Sequence, residues 1–260
     1  ELSLSNKCNL ACKMCSPIYS TLWNDIIHKN TELLNYHHTA TQPLIKVEDI
    51  FANVNLEKLK KIKYLGGEPF ITPEIKKLFE YLENKNVIQN IEFECNTNCT
   101  LFPEKWLRYL DKFRKVTIEL SLDGIGLVND YVRFGKTWNT IEPNIFKWSK
   151  YSKQTNIDLN IFSTVQAYNL HDMKNVKGLA DSLNIKHYSS LLVIPNFLSV
   201  HVLPFNYLEE IKDDYNQKYY SSITNNDLFD KFQEYTNKMD KVTNLPIKEV
   251  IPKLYSYMEE

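Results

Sequence analysis

The sequence of 260 residues is 43% hydrophobic and 24% charged, so the chain is long enough to bury a substantial core in one large or two smaller domains. Its 31 Lys and Arg residues nearly balance 32 Asp and Glu residues, which argues against whole-surface attraction to nucleic acid or to an anionic membrane. No apolar run reaches about 18 residues, the length of a membrane-spanning helix, and no charged-then-apolar leader opens the sequence. We therefore expect a protein of the cytoplasm.

Short β-rich runs alternate with amphipathic helical runs along the first 195 residues. The predicted strands cover residues 2–5, 63–65, 91–95, 116–122, 158–165 and about 187–194. The predicted helices between them cover residues 16–29, 47–61, 73–84, 103–112, 138–153 and 170–183. This alternation predicts a parallel α/β sheet with right-handed crossovers. The spacing is compatible with both a doubly wound sheet and an open, partial barrel.

The pattern changes beyond residue 195, where the apolar stretch PNFLSVHVLP is followed by helical stretches rich in Tyr, Lys and Asp. We predict a core domain over residues 1–195 and a C-terminal cap over residues 196–260. The connection at 30–46 lacks periodicity, and we expect it to help the cap shield a site from water. Because the chain opens on Glu1 and ends in a helical pattern without a capping Gly, we expect a segment of a longer protein.

Polar or glycine-bearing turns follow the predicted strands one after another. They are the cysteine loop NKCNLACKMCS at 6–16, GGEP at 66–69, NTNCT at 96–100, SLDG at 121–124 with YVRFG at 131–135 after it, and TVQAYN at 164–169. Because parallel strands place ligands at their carboxyl ends, we expect these turns to share one rim of the sheet.

The cysteine loop alone predicts a soft-metal site. Five cysteines are an odd count that does not suggest a disulfide framework, and three of them are Cys8, Cys12 and Cys15. Thiolates select zinc or iron–sulfur clusters, but a structural zinc site needs a fourth ligand, and no His or Cys follows within the next twelve residues. A four-iron cluster on three cysteines leaves one iron free for another group. Three buried cysteines gathered by chance are the remaining alternative.

Taken together, these motifs resemble those of a known family. CNLACKMC resembles the CxxxCxxC signature of the radical S-adenosylmethionine (radical SAM) superfamily, and GGEP, SLDG and YVRFG resemble its secondary motifs in the order that it uses. The resemblance covers roughly residues 2–200, and the C-terminal arrangement resembles the subgroup with a shortened twitch extension. It implies a partial open (β/α)6 TIM-like barrel with a helical C-terminal cap.

The resemblance implies a [4Fe–4S] cluster whose open iron is chelated by S-adenosylmethionine, with three cluster ligands: Cys8, Cys12 and Cys15. Gly66 and Gly67 lack a Cβ atom, so the backbone could approach the cofactor closely. Glu68 or nearby carbonyls would accept hydrogen bonds from the amino group of the cofactor. An ordinary tight turn would explain the two glycines alone.

Further residues are assigned to the cofactor by the same resemblance. Ser121 and Arg133 match positions that contact the methionine carboxylate, a role that suits a hydroxyl donor and a guanidinium fork. Asp123 would accept from a ribose hydroxyl, or would simply form the turn that Asp before Gly favours. Asn98 and Val165 match positions that line the nucleoside pocket.

Two positions depart from the family pattern. Met14 stands before the third cysteine, where an aromatic residue usually lies against adenine, so Met14 would offer a polarizable apolar contact instead. Cys99 stands where relatives that read TNG have Gly. We predict structural roles for Cys99 and Cys95, because free cysteine is usually buried.

The resemblance implies a radical SAM enzyme. One electron from the reduced cluster would cleave S-adenosylmethionine to methionine and a 5′-deoxyadenosyl radical, which would abstract hydrogen from a peptide or small metabolite. An electron donor such as a flavodoxin or ferredoxin is then implied as a partner, while the lack of a strongly basic stretch argues against nucleic acid. Because no cysteine follows Cys99, the C-terminal part of this sequence supplies no cysteine for an auxiliary cluster.

A non-catalytic function is the alternative. The cysteines would then serve a zinc- or iron–sulfur-binding module, or an iron–sulfur sensor on a barrel scaffold. Neither has a use for an amino-acid chelating pocket beside the metal. GGEP and Arg133 therefore favour the enzyme.

Overall fold

The structure, a computed structural model, describes residues 1–37, 47–52, 54–219 and 226–259. Its strands are β1 (Ala11–Cys12), β2 (Lys61–Tyr64), β3 (Glu92–Thr97), β4 (Lys115–Ser121), β5 (Arg133–Phe134), β6 (Ile157–Val165) and β7 (Lys186–Leu191). Its α-helices are α1 (Thr21–Lys29), α2 (Val47–Phe51), α3 (Pro73–Asn84), α4 (Leu107–Leu110), α5 (Leu127–Val132), α6 (Trp138–Ser152), α7 (Met173–Leu183), α8 (Phe205–Ile211), α9 (Asn226–Thr243), α10 (Ile247–Val250) and α11 (Pro252–Ser256). Of the predicted loop at 30–46, residues 38–46 lie outside the described ranges.

Five strands form one parallel sheet in the order β2-β3-β4-β6-β7, which confirms the predicted α/β class. Helices α3, α6 and α7 lie between successive strands, as a parallel sheet with crossovers requires. The two shortest strands, β1 and β5, form a separate antiparallel pair in which Cys12 lies opposite Arg133.

The first predicted strand, at residues 2–5, is wrong. Within the described ranges only Leu2 bridges the sheet, in parallel with Tyr64 of β2. The chain leaves the sheet edge because the following residues fold over the glycine turn, where the Glu68 N–H donates to the Lys7 carbonyl at 2.8 Å. In the described ranges, the barrel sheet therefore has five strands, and the Leu2 bridge stands in place of the sixth strand that we expected.

One predicted helix is confirmed in full and another is much shorter than predicted. The helix predicted over 73–84 is confirmed by α3, whose first residue is Pro73, where a missing N–H is harmless. The helix predicted over 47–61 is wrong beyond α2, because the end of that range starts β2, in which Ile62 and Tyr64 are buried in alternation.

Three other helices begin later than expected. Those predicted over 16–29, 103–112 and 170–183 begin as α-helix only at Thr21, Leu107 and Met173. Short 3₁₀ turns precede the second and third of these helices. Before the first, the Ser20 hydroxyl donates to the Leu10 carbonyl at 2.5 Å, which ties this stretch to the cysteine loop.

One face of the sheet is buried and the other is more polar. In β3, Phe93, Cys95 and Thr97 are buried, whereas Glu94 and Asn96 between them are partly exposed. Side chains alternate across a strand, so this pattern places the hydrophobic core on one side of the sheet.

Helix α9, in the chain beyond β7, packs on residues 196–202 and on the cysteine loop. Phe232, Tyr235 and Met239 of this helix are fully buried. None of the helices in the described ranges combines the length and apolar character that crossing a membrane requires.

Candidate functional site

The predicted site turns share one rim of the sheet. Glu68 follows β2, Asn98 follows β3 and Asp123 follows β4, and these three strands are parallel neighbours. Thr164 and Val165 end β6, the next strand in the sheet. The carboxyl ends of parallel strands form the rim that carries ligands in this type of fold.

The glycine turn lets the cysteine loop lie close against the end of β2. Gly67 has a φ of +40°, and a Cβ atom there would lie 2.4 Å from the Lys7 carbonyl oxygen. Gly66 has a φ of +87°, and its Cβ atom would lie 2.7 Å from the Ser3 hydroxyl oxygen. Both positions need glycine for backbone conformation and for close packing of the chain on itself.

The Glu68 carboxylate joins two strand ends. Its Oε1 accepts hydrogen bonds from the Thr97 hydroxyl at 2.8 Å and the Phe70 N–H at 3.3 Å, and its Oε2 accepts from the Asn98 N–H at 2.8 Å. Burial raises the pKa of Glu68 to about 7, although these donors lower it. The carboxylate thereby fixes the position of Asn98 beside the cysteine loop.

The Asn98 side chain is oriented toward the cysteines. Its Oδ1 accepts from the Thr100 N–H at 3.0 Å and the Thr100 hydroxyl at 2.8 Å. Its Nδ2 lies 3.0 Å from Asn9 Oδ1 and 3.8 Å from the Cys8 sulfur. The amide therefore presents its N–H groups to the cysteine loop.

Arg133 connects a second cysteine to a buried carboxylate. Its Nη1 lies 3.8 Å from the Cys12 sulfur, and its Nε pairs with Asp123 Oδ2 at 2.7 Å. Arg133 is 8% exposed and Asp123 is 0% exposed. Burial disfavours the charge of Arg133, but Asp123 and Cys12 raise its pKa above the ordinary value. We therefore expect this ion pair to be charged at neutral pH.

The remaining predicted residues on the rim differ in accessibility. The second oxygen of Asp123 accepts from the Thr164 N–H at 2.7 Å, so protein groups face both oxygens of this carboxylate. Ser121 ends β4 and is partly buried, whereas Val165 ends β6 and is fully buried. Their contacts with a cofactor stay predictions.

The sulfur atoms have surroundings that suit a buried iron–sulfur cluster. Burial raises the pKa values of Cys8 and Cys12 above the ordinary value and that of Cys15 to about 11, whereas Arg133 lowers all three. In the described part of the chain, no three Cys, His, Asp or Glu side chains are arranged to hold a metal ion. The fit to a cluster rests on the donor set: three thiols on one loop, with N–H donors at two sulfurs.

Met14 and Cys15 line a pocket of about 860 Å³. The other residues that line it come from the same stretch, from two further segments and from α9: Ser16, Ile18, Tyr19, Leu34, Asn35, Tyr36, His37, Val193, Ile194, Pro195, Asn196, Phe197 and Lys231. The rim residues Glu68, Asn98 and Arg133 are not among them. The contact of Met14 with a cofactor stays a prediction.

A second set of contacts holds the cysteine loop from α9, and sequence reasoning missed it. Lys13 is fully buried, with its Nζ 3.4 Å from the centroid of the Tyr131 ring and 3.5 Å from Asp240 Oδ1. The Tyr235 hydroxyl donates to the Lys13 carbonyl at 2.8 Å. Burial lowers the pKa of Lys13 to about 7, against the effect of Asp240. Nothing in the local sequence distinguishes this lysine from a surface lysine.

Cys95 and Cys99 are both 0% exposed. Cys99 has a φ of +61°, a left-handed conformation in which glycine is the usual residue. Its carbonyl accepts from Asn144 Nδ2 at 2.9 Å, and its sulfur lies 3.7 Å from the Thr97 carbonyl oxygen. Where relatives have the Gly of TNG, this chain therefore has a buried Cys99 side chain on a left-handed backbone that suits glycine.

Comparison with known proteins gives a family match and several similar sequences. A model described as Radical SAM superfamily matches residues 2–165. An uncharacterized protein of Methanocaldococcus jannaschii is 26% identical over 197 residues, which are 75% of this chain and 62% of the relative. The radical SAM cyclopropyl synthase TigE of Paramaledivibacter caminithermalis is 26% identical over 211 residues, which are 76% of this chain and 42% of TigE. The chain thus spans about two fifths to three fifths of these relatives.

A solved structure has a similar fold. The protein anSMEcpe with bound AdoMet aligns with 92% of this chain and 56% of its own, at a TM-score of 0.52 and 19% identity. The same protein with bound AdoMet and Kp18Cys peptide aligns at a TM-score of 0.51. At this identity the likeness concerns the fold alone, and it confirms the predicted partial TIM-like barrel.

Proposed function

Because this chain belongs to the radical SAM superfamily, we propose that it is a radical SAM enzyme with a [4Fe–4S] cluster on three ligands: Cys8, Cys12 and Cys15. A reduced cluster held by these cysteines would supply the electron for reductive cleavage of S-adenosylmethionine, and the cleaved cofactor would supply the chemistry that removes hydrogen from a substrate. The chain itself binds the cofactor, orients it and keeps water from the radical.

One observation carries this proposal: two rim side chains converge on the cysteine sulfurs. Asn98 Nδ2 and Arg133 Nη1 each lie 3.8 Å from a sulfur, on Cys8 and Cys12 respectively. Cysteines that only fill a core have no need of such donors. N–H groups directed at ligand sulfur stabilise thiolates and tune the reduction potential of a cluster.

We assign the cofactor to the same rim. Arg133 is held at its Nε by Asp123, and we propose that its other guanidinium nitrogen and Ser121 bind the methionine carboxylate. The amino group would lie near the backbone of the glycine turn and Glu68. The remaining assignments, which follow the family resemblance, are ribose for Asp123 and the nucleoside for Met14, Asn98 and Val165.

We propose a peptide or a small metabolite as substrate. The name of TigE describes a radical SAM cyclopropyl synthase, and anSMEcpe has been solved with a peptide. We further propose that residues 1–195 form the catalytic core and that 196–260 form a cap of the twitch-like kind. A flavodoxin or ferredoxin would supply the electron.

Anaerobic reconstitution tests this function. The chain is loaded with iron and sulfide, reduced with dithionite and mixed with S-adenosylmethionine. We expect about four iron atoms per chain and release of 5′-deoxyadenosine, detected by liquid chromatography. Cys12→Ala should lose the cluster absorbance, whereas Cys95→Ala, which changes a buried cysteine outside the loop, should keep it.

Two outcomes would contradict the proposal. Stoichiometric zinc without cluster absorbance would favour a zinc-binding module. A loaded cluster without cofactor cleavage would favour a sensor.

A further inference from the structure

Most residues that line the pocket beside Met14 and Cys15 have no part in the proposed cluster and cofactor sites. Its volume of about 860 Å³ lies within the roughly 300–1,000 Å³ that is typical of small-molecule sites. Its walls are mostly apolar and aromatic. Within the described ranges, Lys231 is the one Lys, Arg, Asp or Glu residue that lines it.

Lys231 presents a positive charge on an aromatic wall. Its Nζ lies 5.0 Å from the ring centroid of Phe197 and 5.9 Å from that of Tyr36. Among residues 228–259 of α9 and the chain after it, no carboxylate lies within ion-pair distance of Lys231, although, together with the hydrogen bond from Lys238, its charge helps to lower the pKa of Glu234. By contrast Lys238, two turns further along α9, pairs with Glu234 at 2.7 Å. Lys231 therefore contributes a positive charge to the aromatic wall of the pocket.

Apolar side chains are exposed on the same pocket. Val193 and Ile194 are 73% and 78% exposed, and Tyr19 and Leu34 are also exposed. All four line the pocket. Contiguous exposed apolar surface beside a cavity is typical of a binding site rather than of ordinary protein surface.

We propose that this pocket binds an acidic residue of a peptide substrate together with a hydrophobic residue next to it. The carboxylate would lie at Lys231, and the hydrophobic side chain would pack on Val193, Ile194 and Phe197. The inference rests on the proposed function, because a substrate must lie near the cysteine loop, and Cys15 lines this pocket.

Two blocked tripeptides, Ac-Phe-Glu-Phe-NH2 and Ac-Phe-Gln-Phe-NH2, test the proposal. They differ only in the charge of the central side chain, and displacement of the fluorescent dye anilinonaphthalene sulfonate reports their binding. The cluster-loaded chain is used with saturating S-adenosylmethionine, so that the site at Arg133 is filled. We expect the glutamyl peptide to bind about three- to fivefold more tightly, with a smaller ratio at high salt.

Variants distinguish the pocket from other surfaces. Lys231→Gln should abolish the preference for the glutamyl peptide, and the matched control Lys241→Gln, an exposed lysine of the same helix that does not line the pocket, should keep it. Val193→Ser should weaken both peptides by a similar factor and leave their ratio unchanged. Circular dichroism establishes that each variant is folded.

Three results would overturn the inference. They are equal binding of both peptides to the unsubstituted chain, a glutamyl preference that survives Lys231→Gln, and displacement by free N-acetylphenylalanine as strong as by the glutamyl peptide. The last would assign the pocket to small carboxylic acids. The peptide ratio can also be measured on the chain without iron, so failure of cofactor cleavage contradicts the proposed function and leaves this test intact.

Discussion

The rim of the sheet and helix α9 hold the same cysteine loop in different ways. On the rim, Asn98 and Arg133 direct N–H groups at cysteine sulfurs. On the side of α9, Tyr235 donates to the backbone carbonyl of Lys13, and Asp240 pairs with the ammonium of that lysine. The rim therefore contacts the proposed metal ligands, whereas α9 fixes the path of the loop between them.

The ion pairs on the two sides differ in geometry. Arg133 and Asp123 meet at 2.7 Å, and the guanidinium also reaches Cys12 from another nitrogen. Lys13 and Asp240 lie 3.5 Å apart, with the ammonium over the Tyr131 ring. A planar guanidinium can contact two groups in different directions, while an ammonium is a point charge. The arginine thus suits a binding role and the lysine a structural one.

The largest effect should come from Arg133→Ala. The change leaves the Asp123 carboxylate buried without its cation, which should lower the free energy of unfolding by about 3–5 kcal/mol. It should also weaken S-adenosylmethionine binding by at least about tenfold, because one charge-assisted contact to the carboxylate is lost. Urea denaturation and equilibrium dialysis of the cluster-loaded chain measure the two effects.

A double variant separates stability from binding. Arg133→Met with Asp123→Leu removes both buried charges, so much of the stability should return while cofactor binding stays weak. If Arg133→Ala bound the cofactor normally while keeping its cluster, the assignment of Arg133 to the carboxylate would be wrong.

Asp240→Ala tests the other side of the loop and should have a smaller effect. We expect a loss of about 2–3 kcal/mol in the free energy of unfolding, because the Tyr131 hydroxyl and the Ile247 N–H lose their acceptor. Lys13 keeps the Tyr131 ring, which limits the loss. Glu234→Ala, which breaks an exposed ion pair on the same helix, should lose much less, because solvent screens that pair. Equal losses in the two variants would contradict a structural role for Asp240.

The rim could be predicted from the sequence because its residues stand in turns that follow strands in chain order. The shared location of Glu68, Asn98 and Asp123 followed from the predicted strands, because the carboxyl ends of parallel strands lie on one rim. The contacts of α9 could not be predicted in this way. Tyr235 and Lys13 are 222 positions apart, and no periodicity links them.

The same reasoning explains the errors in the fold. The helix predicted over 47–61 ends at Phe51, and the Asn55 side chain starts a separate 3₁₀ turn at Leu56–Lys58 by accepting from the Glu57 N–H. Pairing with β3 then makes Lys61 the first residue of β2. The β1 and β5 pair has two residues on each strand, too few for any periodic signal. That pair places Arg133 opposite Cys12, so the position of this arginine beside sulfur was visible only in the structure.

Hydrogen bonds of His187, in β7, join the sheet to Tyr215 in the chain beyond it; we call this contact the His187 junction. The Ser163 hydroxyl donates to the Leu122 carbonyl at 2.5 Å, so the His187 Nε2, which lies 2.9 Å away, must donate to Ser163. His187 Nδ1 then accepts from the Tyr215 hydroxyl at 2.9 Å. This directed chain uses the neutral imidazole.

The His187 junction should weaken in acid. Burial, with help from Lys218 and Lys177, lowers the pKa of His187 from 6.5 to about 4. The stabilisation is therefore present above pH 6.5 and is lost as the pH falls toward 4. Because the ring is partly solvated, we expect a loss of about 1 kcal/mol in the free energy of unfolding. Denaturation of His187→Gln should lack this part of the pH dependence, and exposed His28→Gln should retain it.

The smallest effect should come from Cys99→Gly, within the rim itself. Glycine would relieve the left-handed backbone at φ +61° by about 1 kcal/mol but would lose a similar amount of buried apolar contact. The free energy of unfolding should therefore change by less than about 0.5 kcal/mol. Cys95→Gly, in extended strand β3, has no strain to relieve and should lose about 1–2 kcal/mol. Similar losses in the two variants would mean that burial alone accounts for both cysteines, and that the conformation of Cys99 adds nothing.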